Sequence, residues 1–123
     1  MAILTQPING VDVENFKPVI TVASHPGYVR IAFKNKGVDG INIYKRRKGE
    51  ADFLFLARDT KSPYDDKMTM PTPPNAEVYE YMAIGVVADN EIGVASDIVA
   101  VSFGAKINSF LVDIFYPFYE VAG

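Results

Sequence analysis

The side chains that could do chemistry in this chain are few. Asp65-Asp66 and the Asp89/Glu91 pair are its candidate carboxylate groups. Calcium needs about six to eight oxygens converging from a spaced acidic loop, and neither group has that spacing. A glycosidase pair needs two carboxyls facing each other across a cleft, which a compact chain of this size does not suggest. Both groups are therefore expected as turn and strand-end residues. The single histidine, His25, precedes Pro26 and lacks the nucleophile and orienting acid of a catalytic triad. It reads as a turn residue in solvent. Lys45-Arg46-Arg47-Lys48 is the densest charge run and could grip phosphate or an acidic partner. With Glu50, Asp52 and Asp59 close by, it reads instead as a solvated hairpin tip. No glycine-rich loop opens a helix, and no His or Cys cluster has metal-ligand spacing. No enzyme activity and no cofactor are expected.

Composition narrows the class further. The chain has 123 residues, 49% of them hydrophobic and 22% charged, which suits one compact domain with a real core. Its net charge of −3 lacks the basic excess of a duplex-binding module, so nucleic acid is not an expected partner. Without cysteine it can form neither disulfides nor thiolate metal sites. Met1 to Gln6 do not read as a signal peptide, and no apolar run approaches the roughly 18 residues of a membrane helix. No membrane partner is expected, and the compartment stays open.

Eight prolines and nine glycines punctuate short runs of Val, Ile, Phe and Tyr, a pattern of strands and turns. We read seven strands: Val19 to Ala23, Tyr28 to Lys34, Ile41 to Arg46, Phe53 to Ala57, a short one around Tyr64, Val78 to Ala88, and Ser96 to Phe103. Asp89-Asn90-Glu91 reads as a turn. The proline-rich Met68 to Asn75 cannot be a central strand and reads as a stiff crossing loop.

Several of these runs, in order, carry a resemblance. Asp39-Gly40-Ile41-Asn42-Ile43-Tyr44-Lys45-Arg46, Ser62-Pro63-Tyr64-Asp65-Asp66, Tyr79-x-Tyr81-x-Ala83 and Gly93-x-Ala95-Ser96-Asp97 resemble successive strands of the fibronectin type III domain, in the version common in bacterial multidomain proteins. The resemblance covers residues 18–104 and implies an all-β, seven-stranded immunoglobulin-like sandwich. It implies structural roles for Tyr79, Tyr81, Phe33 and Tyr64. Tyr79 would be the tyrosine-corner residue, its hydroxyl bonded to upstream backbone. Phe33 stands where the family usually has Trp. Residues 1–17 and 105–123 lie outside the standard domain as an N-terminal arm and an apolar C-terminal arm.

The sixth strand carries the functional expectation. Tyr79, Tyr81, Ala83, Gly85 and Val87 should face the core, leaving Val78, Met82, Ile84 and Val86 on the other face. Ile98 and Ala100 of the seventh strand and Tyr44 of the third should join that outer face. An antiparallel sheet normally alternates to polar there, so a continuous apolar face marks an interface or a covered surface. The apolar segment Phe110 to Tyr119 fits as strand or helix, with aromatic and β-branched content favouring strand. It could fold back within one chain or reach another copy. The expected function is a non-catalytic, self-associating interaction module, a dimer being favoured. Its contact residues would be Tyr44, Met82, Ile84, Val86, Ile98, Phe110, Ile114 and Phe118. The alternative is a carbohydrate-associated module using Tyr28, Tyr44, Tyr116 and Tyr119 as an aromatic platform.

Overall fold

In a computed structural model, residues 10–104 are described. They form eight strands and no helix: β1 (Ile20–His25), β2 (Tyr28–Phe33), β3 (Gly40–Arg47), β4 (Leu54–Asp59), β5 (Tyr64–Lys67), β6 (Ala76–Val87), β7 (Asn90–Ile92) and β8 (Val99–Gly104). None of the described residues therefore forms a helix able to cross a membrane. Strands β1-β2-β5 make one sheet, and β4-β3-β6 make the other. β7 and β8 share the remaining edge of β6, pairing with Gly85–Val87 and Ala76–Tyr81 respectively. All of these pairings are antiparallel.

The two sheets close on a core drawn from both. Ile20, Val29, Ile31 and Phe33 come from one, and Ile41, Ile43, Tyr81, Ala83 and Phe103 from the other. Alternation along each strand supplies these residues, because only every second side chain reaches the interior. The β1–β2 connection is a two-residue turn in which Pro26 presets its own φ and Gly27 takes φ +85°. The β6–β7 connection is also two residues long, and both Ala88 and Asp89 adopt positive φ, 50° and 66°. That conformation matches strand twist, but is normally filled by Asn and Gly.

The expected seventh strand starts later than Ser96, as β8, and an additional short strand comes before it. Asn90 and Glu91, expected in a turn, lie in β7, and Ser96 to Ile98 precede β8. The chain leaves β6 at Gly93 because another segment fills that place. Asp12 accepts amide hydrogen bonds from Glu14 and Asn15 on its side chain and from Phe16 on its carbonyl, which curls residues Asp12–Phe16. Val13 and Phe16 then accept hydrogen bonds from the amides of Gly93 and Val94. The Phe16 ring lies where a side chain on Gly85 would stand, 2.7 Å from an ideal Cβ. Val11, Val38 and Val87 pack with Phe16 and Ile92 into a second, smaller core. Residues 10–17, expected as an arm, are thus docked against the end of the β4–β3–β6 sheet.

Ser96 bridges the gap between β7 and β8. Its amide donates to the Ala83 carbonyl at 2.8 Å, and its hydroxyl accepts from the Ala83 amide at 2.9 Å. A break in the edge strand would otherwise leave the Ala83 amide buried without a partner.

Candidate functional site

Two polar arrangements stand out, one between the sheets and one on the outer face of β4–β3–β6–β7. The first is built by alternation. Ile41 and Ile43 face inward on β3, so the next inward position is Lys45. Tyr64 faces the core on β5, so Asp66 does as well. Lys45 Nζ lies 2.7 Å from Asp66 Oδ2, and the Tyr81 hydroxyl donates to the same oxygen at 2.7 Å. Lys45 also sits over the Tyr79 ring, 4.3 Å from its centroid. Asp66 is 5% exposed and Tyr81 is fully buried. Burial, reinforced by the Asp66 carboxylate, pushes the Tyr81 hydroxyl far above the usual tyrosine range. The cluster is saturated: the carboxylate holds an ammonium and a hydroxyl, and the ammonium rests on an aromatic face. It ties β5 of one sheet to β3 and β6 of the other.

Asp66, expected as a turn or strand-end residue, lies near the end of β5 and is buried. The cluster corrects one expectation: Lys45 is not part of a solvated basic tip. Its neighbours in the run are also engaged, Arg46 with Glu80 at 2.7 Å and Arg47 with Glu77. Asp65 faces outward and takes a two-pronged hydrogen bond from Arg30, at 2.8 and 3.0 Å. Those bonds hold its carboxyl below the ordinary range. His25 lies in β1, not in open solvent, stacked on Tyr28 at 4.8 Å between ring centroids.

The outer face carries a row of apolar side chains running across the strands. Phe55 of β4 is opposite Tyr44 of β3, which is opposite Met82 of β6. Val99 pairs with Tyr81, so Ile98 occupies the next register position, beside Met82. Phe55 and Ile98 are 57% and 50% exposed, and Tyr44 and Met82 are half-buried between them. The Phe55 ring meets Tyr44 edge to face at 5.8 Å.

Polar groups flank this row on both sides. On one side is the Arg46–Glu80 pair, with Arg46 also 4.2 Å over the Phe53 ring. On the other, Glu91 accepts hydrogen bonds from the Tyr44 hydroxyl and, at 2.9 Å, from the Asn42 amide. Arg58 donates to Asn42 Oδ1 at 2.9 Å and to Asp89 Oδ1 at 3.0 Å. The bond to Glu91 raises the Tyr44 hydroxyl above its ordinary range, with burial adding to it. The Asp89/Glu91 pair thus faces Arg58, Asn42 and Tyr44. Among the described residues no three His, Cys, Asp or Glu side chains are placed to share a metal ion.

Of the expected contact residues, Tyr44, Met82, Ile84 and Ile98 lie on or beside this face. Val86 does not offer a surface. It is paired on both sides, with Gly40 and Glu91, and is 2% exposed. The expectation that Val86 is outward and accessible is corrected on that ground. The face is also less uniformly apolar than expected, because Asn42, Glu91 and Arg58 run across it beside Ile84. Phe110, Ile114, Phe118, Tyr116 and Tyr119 lie outside the described residues. Phe55 escaped the sequence reading, although its place opposite Tyr44 follows once β3 and β4 pair as a hairpin.

Among the structural residues, Phe33 and Tyr81 are buried, and Tyr64 and Tyr79 pack against the core from its rim. The Tyr79 hydroxyl, with the Glu77 carboxylate, holds the Arg47 guanidinium above its ordinary range. Its ring tilts against Phe103 at 6.4 Å. A bond from Tyr79 to upstream backbone is not found among the described residues. Tyr28 and Tyr44 lie on opposite sheets and share no platform.

No protein-family model matches this chain, and no curated protein matches it in sequence.

Proposed function

We propose that this chain is an immunoglobulin-like sandwich of the fibronectin type III kind, working as a non-catalytic interaction module that associates with a second copy of itself. The strand order, β1-β2-β5 against β4-β3-β6 with β7 and β8 on its far edge, supports the fold reading. The observation that carries the function is the row Phe55–Tyr44–Met82–Ile98. Apolar residues at the centre, with hydrogen-bonded charges at the rim, are the anatomy of a protein interface. Aromatic residues and methionine are enriched at such centres. The segment from Phe110 to Tyr119 is apolar in sequence as well, and Phe110, Ile114 and Phe118 are its proposed contacts.

Light scattering across a concentration series tests this. The full chain is expected to run at twice its 13.6 kDa mass. Ile98→Asp places a charge in the row at a half-exposed position and is expected to shift the protein toward the single-chain mass. Thr21→Asp, exposed on the opposite sheet, should leave the dimer intact. A single-chain mass for the parent at every concentration sinks the proposal.

A further inference from the structure

The sandwich is open on its inner side at the β3–β4 hairpin. Leu54 pairs with Lys45, whose side chain points between the sheets. Opposed residues of an antiparallel pair share a face, so Leu54 stands on the core side of its sheet. It is nevertheless 71% exposed. Leu56 and Tyr79 pack against the rim of the core close by. These three side chains line a groove of about 200 Å³, with Lys45, Arg47 and Glu50 around it. That volume is below the roughly 300–1,000 Å³ of small-molecule pockets and suits a few side chains of a peptide segment. Lys45 is committed to Asp66, whereas the Arg47 side chain is 57% exposed. Its guanidinium carries five N–H donors, more than its partner Glu77 can take.

We propose that this groove is the docking site of residues 110–119 of the same chain. β8 ends at Gly104, opposite Ala76, at the end of the sheet where Arg47 and the groove lie. Two strand spacings across the sheet and three residues along it separate Gly104 from Arg47, or ~14 Å. Residues 105–109 span up to ~17 Å when extended, so Phe110 reaches the mouth of the groove. The chemistry also matches. Asp113 is the single charge between Phe110 and Tyr119, in a segment otherwise apolar or aromatic. It meets Arg47, while its apolar neighbours cover Leu54, Leu56 and Tyr79. In an extended segment Leu111, Asp113 and Phe115 share one side, and Phe110, Ile114 and Phe118 the other. The first set seats in the groove, and the second stays available for the contacts proposed above. So short a tether holds the segment at an effective concentration on the order of millimolar, which favours its own groove over that of a second copy. The docking does not require two copies to associate.

Nuclear Overhauser contacts in the full chain test this. Cross-peaks are expected between the Leu54 and Leu56 methyl groups and the Phe115 ring, and Phe115→Leu should remove them. Asp113→Lys is expected to abolish the same contacts, and adding Arg47→Glu to it should bring them back. A sample mixing two isotope labels separates contacts within a chain from contacts between chains. Cross-peaks found only between chains would mean that a second copy's segment fills the groove, and would overturn the proposal. Absence of contact with either leucine overturns it as well. Contacts that survive Asp113→Lys unchanged overturn the pairing with Arg47 on which the docking was argued. Self-association is read separately, from mass. A protein that runs as a single chain and shows these contacts keeps this inference and loses the other.

Discussion

Replacing Tyr81 with phenylalanine removes one hydroxyl and leaves the ring in its fully buried place. The lost hydrogen bond runs to a carboxylate at 2.7 Å, and bonds to charged groups contribute about 1.5–3 kcal/mol. Asp66 keeps Lys45 as a partner, so at pH 8 the cost should fall in that range and not at the larger cost of an orphaned buried charge. Alkaline pH reverses the comparison. In the unfolded chain Tyr81 ionises near ~10. In the folded protein burial and Asp66 hold its proton well above that value. The stabilisation is therefore complete below ~10 and is lost as pH rises further, at about 1.4 kcal/mol per unit for one proton. By pH 11.5 the parent should have lost about 2 kcal/mol that Tyr81→Phe cannot lose. Titrations shared by both proteins cancel to first order. Urea unfolding at pH 8 and 11.5 measures the difference, which should shrink to near zero or change sign. An equal cost at both pH values would show that the Tyr81 proton leaves as easily folded as unfolded, and the sealed-cluster argument would fail.

The break in the edge strand gives a second test: Ser96→Ala strands the buried Ala83 amide and should cost about 1–3 kcal/mol in denaturant unfolding, with earlier amide exchange at Ala83. The full cost would be absent if β7 and β8 could simply close up. Ala88→Asn places a residue tolerant of positive φ at the first turn position and should stabilise by about 0.5–1 kcal/mol, read as a higher melting temperature. Gly93→Ala sets a methyl group 2.0 Å from the Phe16 carbonyl at φ +72°. It is expected to lift residues 11–16 from the sheet, with loss of amide protection at Gly93 and Val94. Unchanged protection there would refute the docking of that segment.

Much of the strand plan was legible because it follows from alternation and turn chemistry. Pro26-Gly27 fixed the first hairpin, and the inward set Tyr81, Ala83 and Gly85 followed from period two. The same rule, carried one position further, would have turned Lys45 and Asp66 inward. Residue type prevailed over period there, because charged side chains are usually solvated and a buried pair depends on a partner distant in sequence. Val86 was misplaced for a related reason. Alternation assigns its face but says nothing about Glu91 beside it. The break between β7 and β8 depends on Phe16 finding Gly85 and Gly93, a contact with no local signature. The exposed aromatic Phe55 was visible, but only the hairpin register connects it to Tyr44, Met82 and Ile98.

The docking of Phe16 beneath Gly93 also bears on how the chain is made. Val11 to Phe16 are among the first described residues to leave a ribosome, yet the amides they bind belong to Gly93 and Val94. Nearly the whole sandwich must be synthesised before that end can close. β1, β2 and β3 can meet their neighbours earlier, while the small core of Val11, Val38 and Val87 waits for the last strands. Contacts of such long sequence separation slow folding, because loop closure must come before any gain from contact. The nascent chain therefore passes through an interval with its sheets paired and one end uncapped, in which Val38 and Val87 have no cover from Val11.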